Sequence, residues 1–201
     1  RGRFPRKCGF SLDDVYRCLD YLAANADGLV KHMNSSIEAA RGPRDRTRLY
    51  YDVTNYYFEM DGEDDGGLRR KGVSKEHRPE AIVQMGLLLD AEGVPLDYEL
   101  FPGNVNDMST MLPMMKKAGL RGAGNPDGER VVVVADKGLN TSSNIAACTL
   151  DGNGFVFSQS VRKATRELRE WVLDGAGYAE SGSGRFKVKS LSLIHISEPT
   201  R

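Results

Sequence analysis

The 201-residue chain has no surplus of charge of either sign, since 28 Lys and Arg residues balance 28 Asp and Glu. A uniformly basic surface is thereby excluded, and any polyanion has to be met by local patches. Cysteine is scarce: Cys8, Cys18 and Cys148 are odd in number, far apart and without CxxC spacing. That pattern argues against a disulfide framework and against a zinc site, and it fits a reducing cytoplasm. No stretch approaches the roughly 18 uncharged apolar residues of a membrane-spanning helix, so no membrane partner is expected. The first residues, Arg1 to Arg6, carry neither an initiator Met nor an apolar signal segment, and the N-terminus reads as an internal cut. Neither GxxxxGK[ST] nor GxGxxG occurs, which removes the glycine loops that cradle nucleotide phosphates.

What is present is the composition of an ordinary soluble domain. Hydrophobic residues make up 40% and charged residues 28%, a balance that favours neither disorder nor a membrane class, and the length suffices for one domain with a real core. Leu12, Val15, Leu19, Leu22, Ala23 and Ala26 recur at helical spacing behind Ser11, Asp13 and Asp14, a good helix start. A second helix is expected over Leu29 to Ala40, followed by a basic linker, RGPRDRTR. RLYYDVTNYYFEM at Arg48 to Met60 reads as a strand, and the polar run from Asp61 to Gly72 as an exposed loop. AIVQMGLLLD at Ala81 to Asp90 and VPLDYELF at Val94 to Phe101 form an expected hairpin around the turn AEG. After the break at Pro102 to Asn104, Asp107 to Gly119 has helical spacing; Gly103 is expected to permit a tight turn, and Asn104 or Asp107 to cap the helix. Cys148 and the methionines from Met108 to Met115 are expected in the core. RVVVVA at Arg130 to Ala135 reads as a central strand buried on both faces, ending at Asp136-Lys137-Gly138. Thr141 to Leu150 fits a helix, and Gly154 to Ser158 a short strand. Beyond them RKATRELREWVLD fits an amphipathic helix, and GYAESGSGRF the opening of an inserted subdomain. Three strands joined by short turns and then alternating helices and strands predict an α/β fold, a mixed sheet flanked by helices. The order is similar to the ribonuclease H-like topology.

Two carboxylates stand out. Asp52 lies mid-strand, where a buried lone carboxylate is costly unless paired or bound to metal; the alternative is that it caps a turn or faces solvent at a sheet edge. Asp136 directly follows the valine run, at the carboxyl end of a strand where open α/β sheets place ligands, though strand ends also carry Asp as a helix N-cap. Together they make a site for a hard divalent cation plausible, and with it phosphodiester cleavage and transfer.

The segments YYDVTNYYFE at Tyr50 to Glu59, KGVSKEHRPE at Lys71 to Glu80, GLLLDAEGVPLDYELFPGNVND at Gly86 to Asp107 and VVVVADKGLNTSSN at Val131 to Asn144 occur in an order that resembles the DDE transposases of bacterial insertion sequences. The resemblance covers roughly Leu49 to Phe157. It implies that Asp52 and Asp136 are catalytic metal ligands for Mg²⁺ or Mn²⁺. It also implies that Lys75, His77 and Arg78 contact DNA phosphates, the alternative being a solvated loop. The implied activity is cutting at the terminal inverted repeats of a mobile element and joining to target DNA, by an oligomer on DNA in a bacterial, nucleoid-associated cytoplasmic setting. A ribonuclease H-like nuclease and a non-catalytic DNA-binding remnant are the alternatives. The family's third acidic residue, a Glu within a Tyr, Arg, Glu and Lys signature, is not found before Ser190. Glu167 and Glu170 follow the GFVFS strand too closely to take its place, so this chain alone is expected to be inactive. The expected organisation is a helical and linker region over 1–47, a ribonuclease H-like core over 48–160 and the start of an insertion region over 161–190. The end, LSLIHISEPTR at 191–201, resembles a translated sequencing adapter and is set apart from the fold.

Overall fold

A computed structural model describes residues 9–59, 62–64, 66–72, 80–120, 130–182 and 184–190. The chain divides into two compact units, Arg1–Arg44 and Asp45–Arg201.

In the first unit, α1 spans Leu12–Ala24 and α2 spans Ala26–Arg41. The start of α1 is a reciprocal capping box: the Ser11 hydroxyl accepts from the Asp14 amide at 3.2 Å, and the Asp14 carboxylate accepts from the Ser11 amide at 2.7 Å. The Ser11 amide, the Ser11 hydroxyl and Arg17 all donate to the Asp14 carboxylate and hold it below its usual range. The second helix begins at Ala26 rather than Leu29, because Asn25 is a one-residue joint that ends α1 and starts α2.

The second unit is built on a five-stranded sheet. Its strands are β1 (Arg48–Tyr57), β2 (Ile82–Leu89), β3 (Pro95–Pro102), β4 (Val132–Ala135) and β5 (Gly154–Phe157). Their spatial order is β3-β2-β1-β4-β5, with β1, β2 and β3 antiparallel in turn and β4 and β5 parallel to β1. That mixed order, with helices in the crossovers, is the ribonuclease H-like arrangement. β1 is central because it pairs with β2 on one side and β4 on the other, and its alternation decides which residues it buries. Leu49, Tyr51 and Val53 point to one face and are buried, whereas Tyr50, Asp52 and Thr54 point to the other.

On the buried face the sheet meets α3 (Met111–Lys117) and α4 (Ser142–Leu150). Met111, Met114, Met115, Leu139 and Cys148 pack there against Leu49, Tyr51, Val53, Leu88, Val131 and Val133. Cys148 and three of the expected methionines are thus core, but Met108 is 41% exposed. The reason is that the helix expected from Asp107 onward is broken: a 3₁₀ turn over Asp107–Ser109 precedes α3 and swings Met108 outward. Asn106 caps that turn, accepting from the Met108 amide, while Asp107 accepts from Gln84 Nε2 at 3.0 Å and Asn104 is exposed. At the other end of α3, burial works against the charge of Lys117, yet Asp97 and Glu99 on β3, 3.4 and 3.3 Å away, hold its pKa above the usual value.

Gly103 is needed for a different reason from the one expected. Its φ is not positive; a Cβ there would run into the backbone carbonyl oxygens of Ile82 and Arg70, so glycine allows a close backbone approach. The glycine-serine stretch after α5 (Arg166–Leu173) is also ordered further than its composition suggests. It forms a hairpin of β6 (Ala179–Ser181) and β7 (Gly184–Phe186), and the Lys187 ammonium lies over the rings of Trp171 and Tyr178 while donating to the carbonyls of Trp171 and Asp174. No helix among the described residues is long and apolar enough to cross a membrane.

Candidate active site

The parallel pairing of β1 with β4 sets Leu49 beside Val133 and Tyr51 beside Ala135. Asp52 and Asp136 are the next residues on each strand. Asp136 keeps an extended backbone, φ −76° and ψ 175°, so the alternation runs on through it, and both aspartates lie on the face opposite the core. Both are exposed. Asp52 is therefore not a buried carboxylate at all, and it does not sit at a sheet edge either, because β1 is the middle strand. It emerges where β4 stops: β1 continues to Tyr57 against β2, but its β4 side loses its partner after Tyr51.

This position has a topological meaning. From β1 the chain runs outward through β2 and β3 on one side, and through β4 and β5 on the other. The gap between β1 and β4 is thus the switch point of the sheet, and Asp52 and Asp136 flank it at the carboxyl end of β4. Open α/β sheets bind ligands in such crevices because the diverging connections leave room there.

Local bonding differs between the two side chains. Asp136 caps a 3₁₀ turn over Lys137–Leu139, with Oδ1 accepting from the Gly138 amide at 2.8 Å. The N-cap expectation for this residue is thereby met, and the residue as a whole stays exposed. The Asp52 side chain makes no hydrogen bond or ion pair among the described residues. Its neighbour Tyr51 is anchored in the core by a 2.9 Å bond to Thr110. Burial pushes the Tyr51 hydroxyl up to about 12, against the opposing effect of that bond, and the negative charges of Asp107, Asp52 and Glu99 add to the rise.

Among solved structures, the chain is similar to the "Mos1 transposase paired-end complex with left transposon end", at 12% identity over 86% of this chain and 57% of that one, with a TM-score of 0.36. It is also similar to the "piggyBac transposase synaptic complex with hairpin DNA", at 10% identity over 68% of this chain and 29% of that one, with a TM-score of 0.43. A third likeness is to the "Mos1 mariner paired end complex with Mn", at 11% identity over 86% of this chain and 58% of that one, with a TM-score of 0.36. The chain spans less than two thirds of each of these proteins. No family model and no curated protein sequence matches it. Likenesses this distant assign no activity to the chain.

The donor set itself fits a hard divalent cation. Two carboxylates share one face of adjacent strands, and neither is neutralised by a Lys or Arg among the described residues. Among the described residues no group of three or more His, Cys, Asp or Glu is placed to hold a metal ion together. Lys75, His77 and Arg78 lie outside the described residues. In the loop before them, Arg69 pairs with Asp64 at 2.9 Å and Arg70 with Glu63 at 3.4 Å. They act there as loop staples. Sequence reasoning missed the polar groups that brace the site, chiefly Asn144, Asn140 and Thr110, because the partners that define them lie far away along the chain.

Proposed function

We propose that this chain is the catalytic segment of a DDE transposase, cutting and joining DNA at the ends of an insertion sequence with Asp52 and Asp136 as metal ligands. The observation that carries this reading is the register of β1 and β4, which makes the two aspartates neighbours on the open face at the sheet's switch point. The four motifs around them, in the order in which the transposase family has them, supply the reaction class, which the fold alone does not. Asp52 and Asp136 would hold Mg²⁺ or Mn²⁺, which when bound would supply activation of an attacking hydroxyl and stabilisation of a leaving 3′ oxygen.

The chain's own contribution is positioning. Asp52 enters from a strand paired on both sides up to Tyr51, and Asp136 from a turn that it caps, which supports a site whose backbone is in place before DNA arrives. Lys75, His77 and Arg78 supply phosphate contacts that place DNA without reading its sequence. The proposed DNA partners are terminal inverted repeats and a target duplex, engaged by an oligomer.

The test is Mg²⁺-dependent cleavage of DNA carrying the flanking inverted repeats, by the protein translated from the whole reading frame that contains this segment. Cleavage abolished in both Asp52→Ala and Asp136→Ala is the expected result. Normal cutting by both variants would remove the two-carboxylate mechanism. Cutting without joining would point instead to a nuclease.

A further inference from the structure

We propose that Asn144 is a positioning residue for Asp136, a role that rests on the reading of Asp136 as a metal ligand. Asn144 lies in the first turn of α4 and is fully buried, 0% exposed, which is unusual for an amide side chain. Its Nδ2 donates to two main-chain carbonyls at once, Leu139 at 2.9 Å and Met108 at 3.1 Å. Both partners are acceptors, which fixes the orientation of the amide. Its Oδ1 is buried with no hydrogen-bond partner among the described residues. A buried acceptor without a donor is a standing cost, and the amide is kept in spite of it.

What the amide holds explains why. Leu139 ends the 3₁₀ turn that Asp136 caps, and its own amide donates back to the Asp136 carbonyl at 3.2 Å. Met108 belongs to the turn that follows β3, 28 residues before Asp136. One side chain thus ties the turn carrying Asp136 to a separate element of the core. On the opposite side Asn140 donates from Nδ2 to Ser158 O at 3.1 Å and to Gln159 Oε1 at 2.6 Å, fastening the same turn to the end of β5. The turn is short, and β4 stops at Ala135, so no strand pairing holds Asp136 in place. The Gly138 amide holds the carboxylate within the turn, and these two amides hold the turn itself, with Asn144 the buried one. Outer groups that orient a metal ligand typically change metal affinity by about 10–100-fold when removed.

The experiment is a Mn²⁺ titration of the 201-residue chain, followed by electron paramagnetic resonance, with thermal melting as the fold check. The variants are Asp52→Ala, Asp136→Ala, Asn144→Ala and the nearly isosteric Asn144→Leu, with Met114→Ala as a control that weakens the core but leaves the amide in place. The expected result is saturable Mn²⁺ binding that both aspartate variants lose. Asn144→Leu, which fills the same space and needs no donor, remains folded but binds Mn²⁺ at least tenfold more weakly, and Met114→Ala binds as the parent does. Asn144→Leu binding Mn²⁺ as tightly as the parent, while Asp136→Ala does not bind, overturns the positioning role and leaves the metal reading standing. Equal weakening in Met114→Ala also overturns it, since general loosening then suffices. If the parent chain binds no Mn²⁺, or if both aspartate variants bind it unchanged, the metal reading itself fails and the role of Asn144 falls with it.

Discussion

The hydroxyl of Tyr51 donates to the hydroxyl of Thr110 at 2.9 Å inside the core, one residue before Asp52. Thr110 passes the bond on to the Asp107 carbonyl at 2.7 Å, so the chain from β1 to the start of α3 is continuous. Removing the hydroxyl in Tyr51→Phe should cost about 1 kcal/mol, the net worth of one hydrogen bond. The pH dependence is the more specific signature. The pKa of Tyr51 is raised from 10.0 to about 12, so the protonated hydroxyl contributes stability that is fully present below pH 10 and lost as the pH rises through 12. Two units correspond to about 3 kcal/mol. Urea melts at neutral pH and between pH 10 and 12 should show Tyr51→Phe losing much less stability over the alkaline range than the parent. An equal loss in both would mean that another group titrates there.

Gly86, on β2, makes room for the same ring. A Cβ at Gly86 would lie 2.9 Å from two Tyr51 ring carbons and nearer still to its hydroxyl. Gly86→Ala should therefore destabilise by about 1–3 kcal/mol, the usual cost of overpacking. In a Tyr51→Phe background the penalty should shrink, giving a coupling of about 0.5 kcal/mol or more in a double-mutant cycle. Strict additivity would show that the ring simply moves aside.

Met114 is completely buried, 0% exposed, between α3 and the sheet. Met114→Ala should cost about 2–5 kcal/mol through lost contacts and a residual cavity, read as a lowered urea midpoint with an unchanged slope. A cost below about 1 kcal/mol would mean that the surrounding methionines collapse into the gap, which flexible thioether side chains can do.

The strands were legible because their signals are local. Four consecutive valines before Asp136, and the Tyr- and Val-rich run around Asp52, carry enough β preference to place β4 and β1 without knowing their partners. The hairpin of β2 and β3 announced itself through a turn ending at Gly93, whose φ is 78°. Other features depend on distant groups. The break before α3 arises where the Asp107 side chain goes to Gln84, 23 residues away, and so is lost as a helix cap. The β6 and β7 hairpin is held by Lys187 stacked on Trp171 and Tyr178, a pairing that a glycine-rich composition conceals. The candidate site was half legible. The sequence pointed to Asp52 and Asp136, but whether they share a face depends on the β1 and β4 register. The burial of Asn144 was invisible, since a polar residue in a short helix looks like a surface one until Met108 and Leu139 are brought to it.

The exposure of both aspartates separates function from stability. The Asp52 side chain gives the fold no hydrogen bond among the described residues, so Asp52→Asn should leave unfolding free energy within about 0.5 kcal/mol of the parent when no divalent ion is present. Added Mn²⁺ should then distinguish the two proteins, because a ligand that binds only the folded state stabilises it by RT ln(1 + [L]/Kd). At ten times the dissociation constant that is about 1.4 kcal/mol, or roughly 3–6 °C in Tm for a chain of this size. The parent should show this rise and Asp52→Asn should not, since replacing one of two anionic ligands removes half the charge that holds the ion. A rise of equal size in both would place the ion elsewhere on the protein. No rise in either would mean that the two carboxylates on this sheet hold no cation, and the metal reading would fail with them.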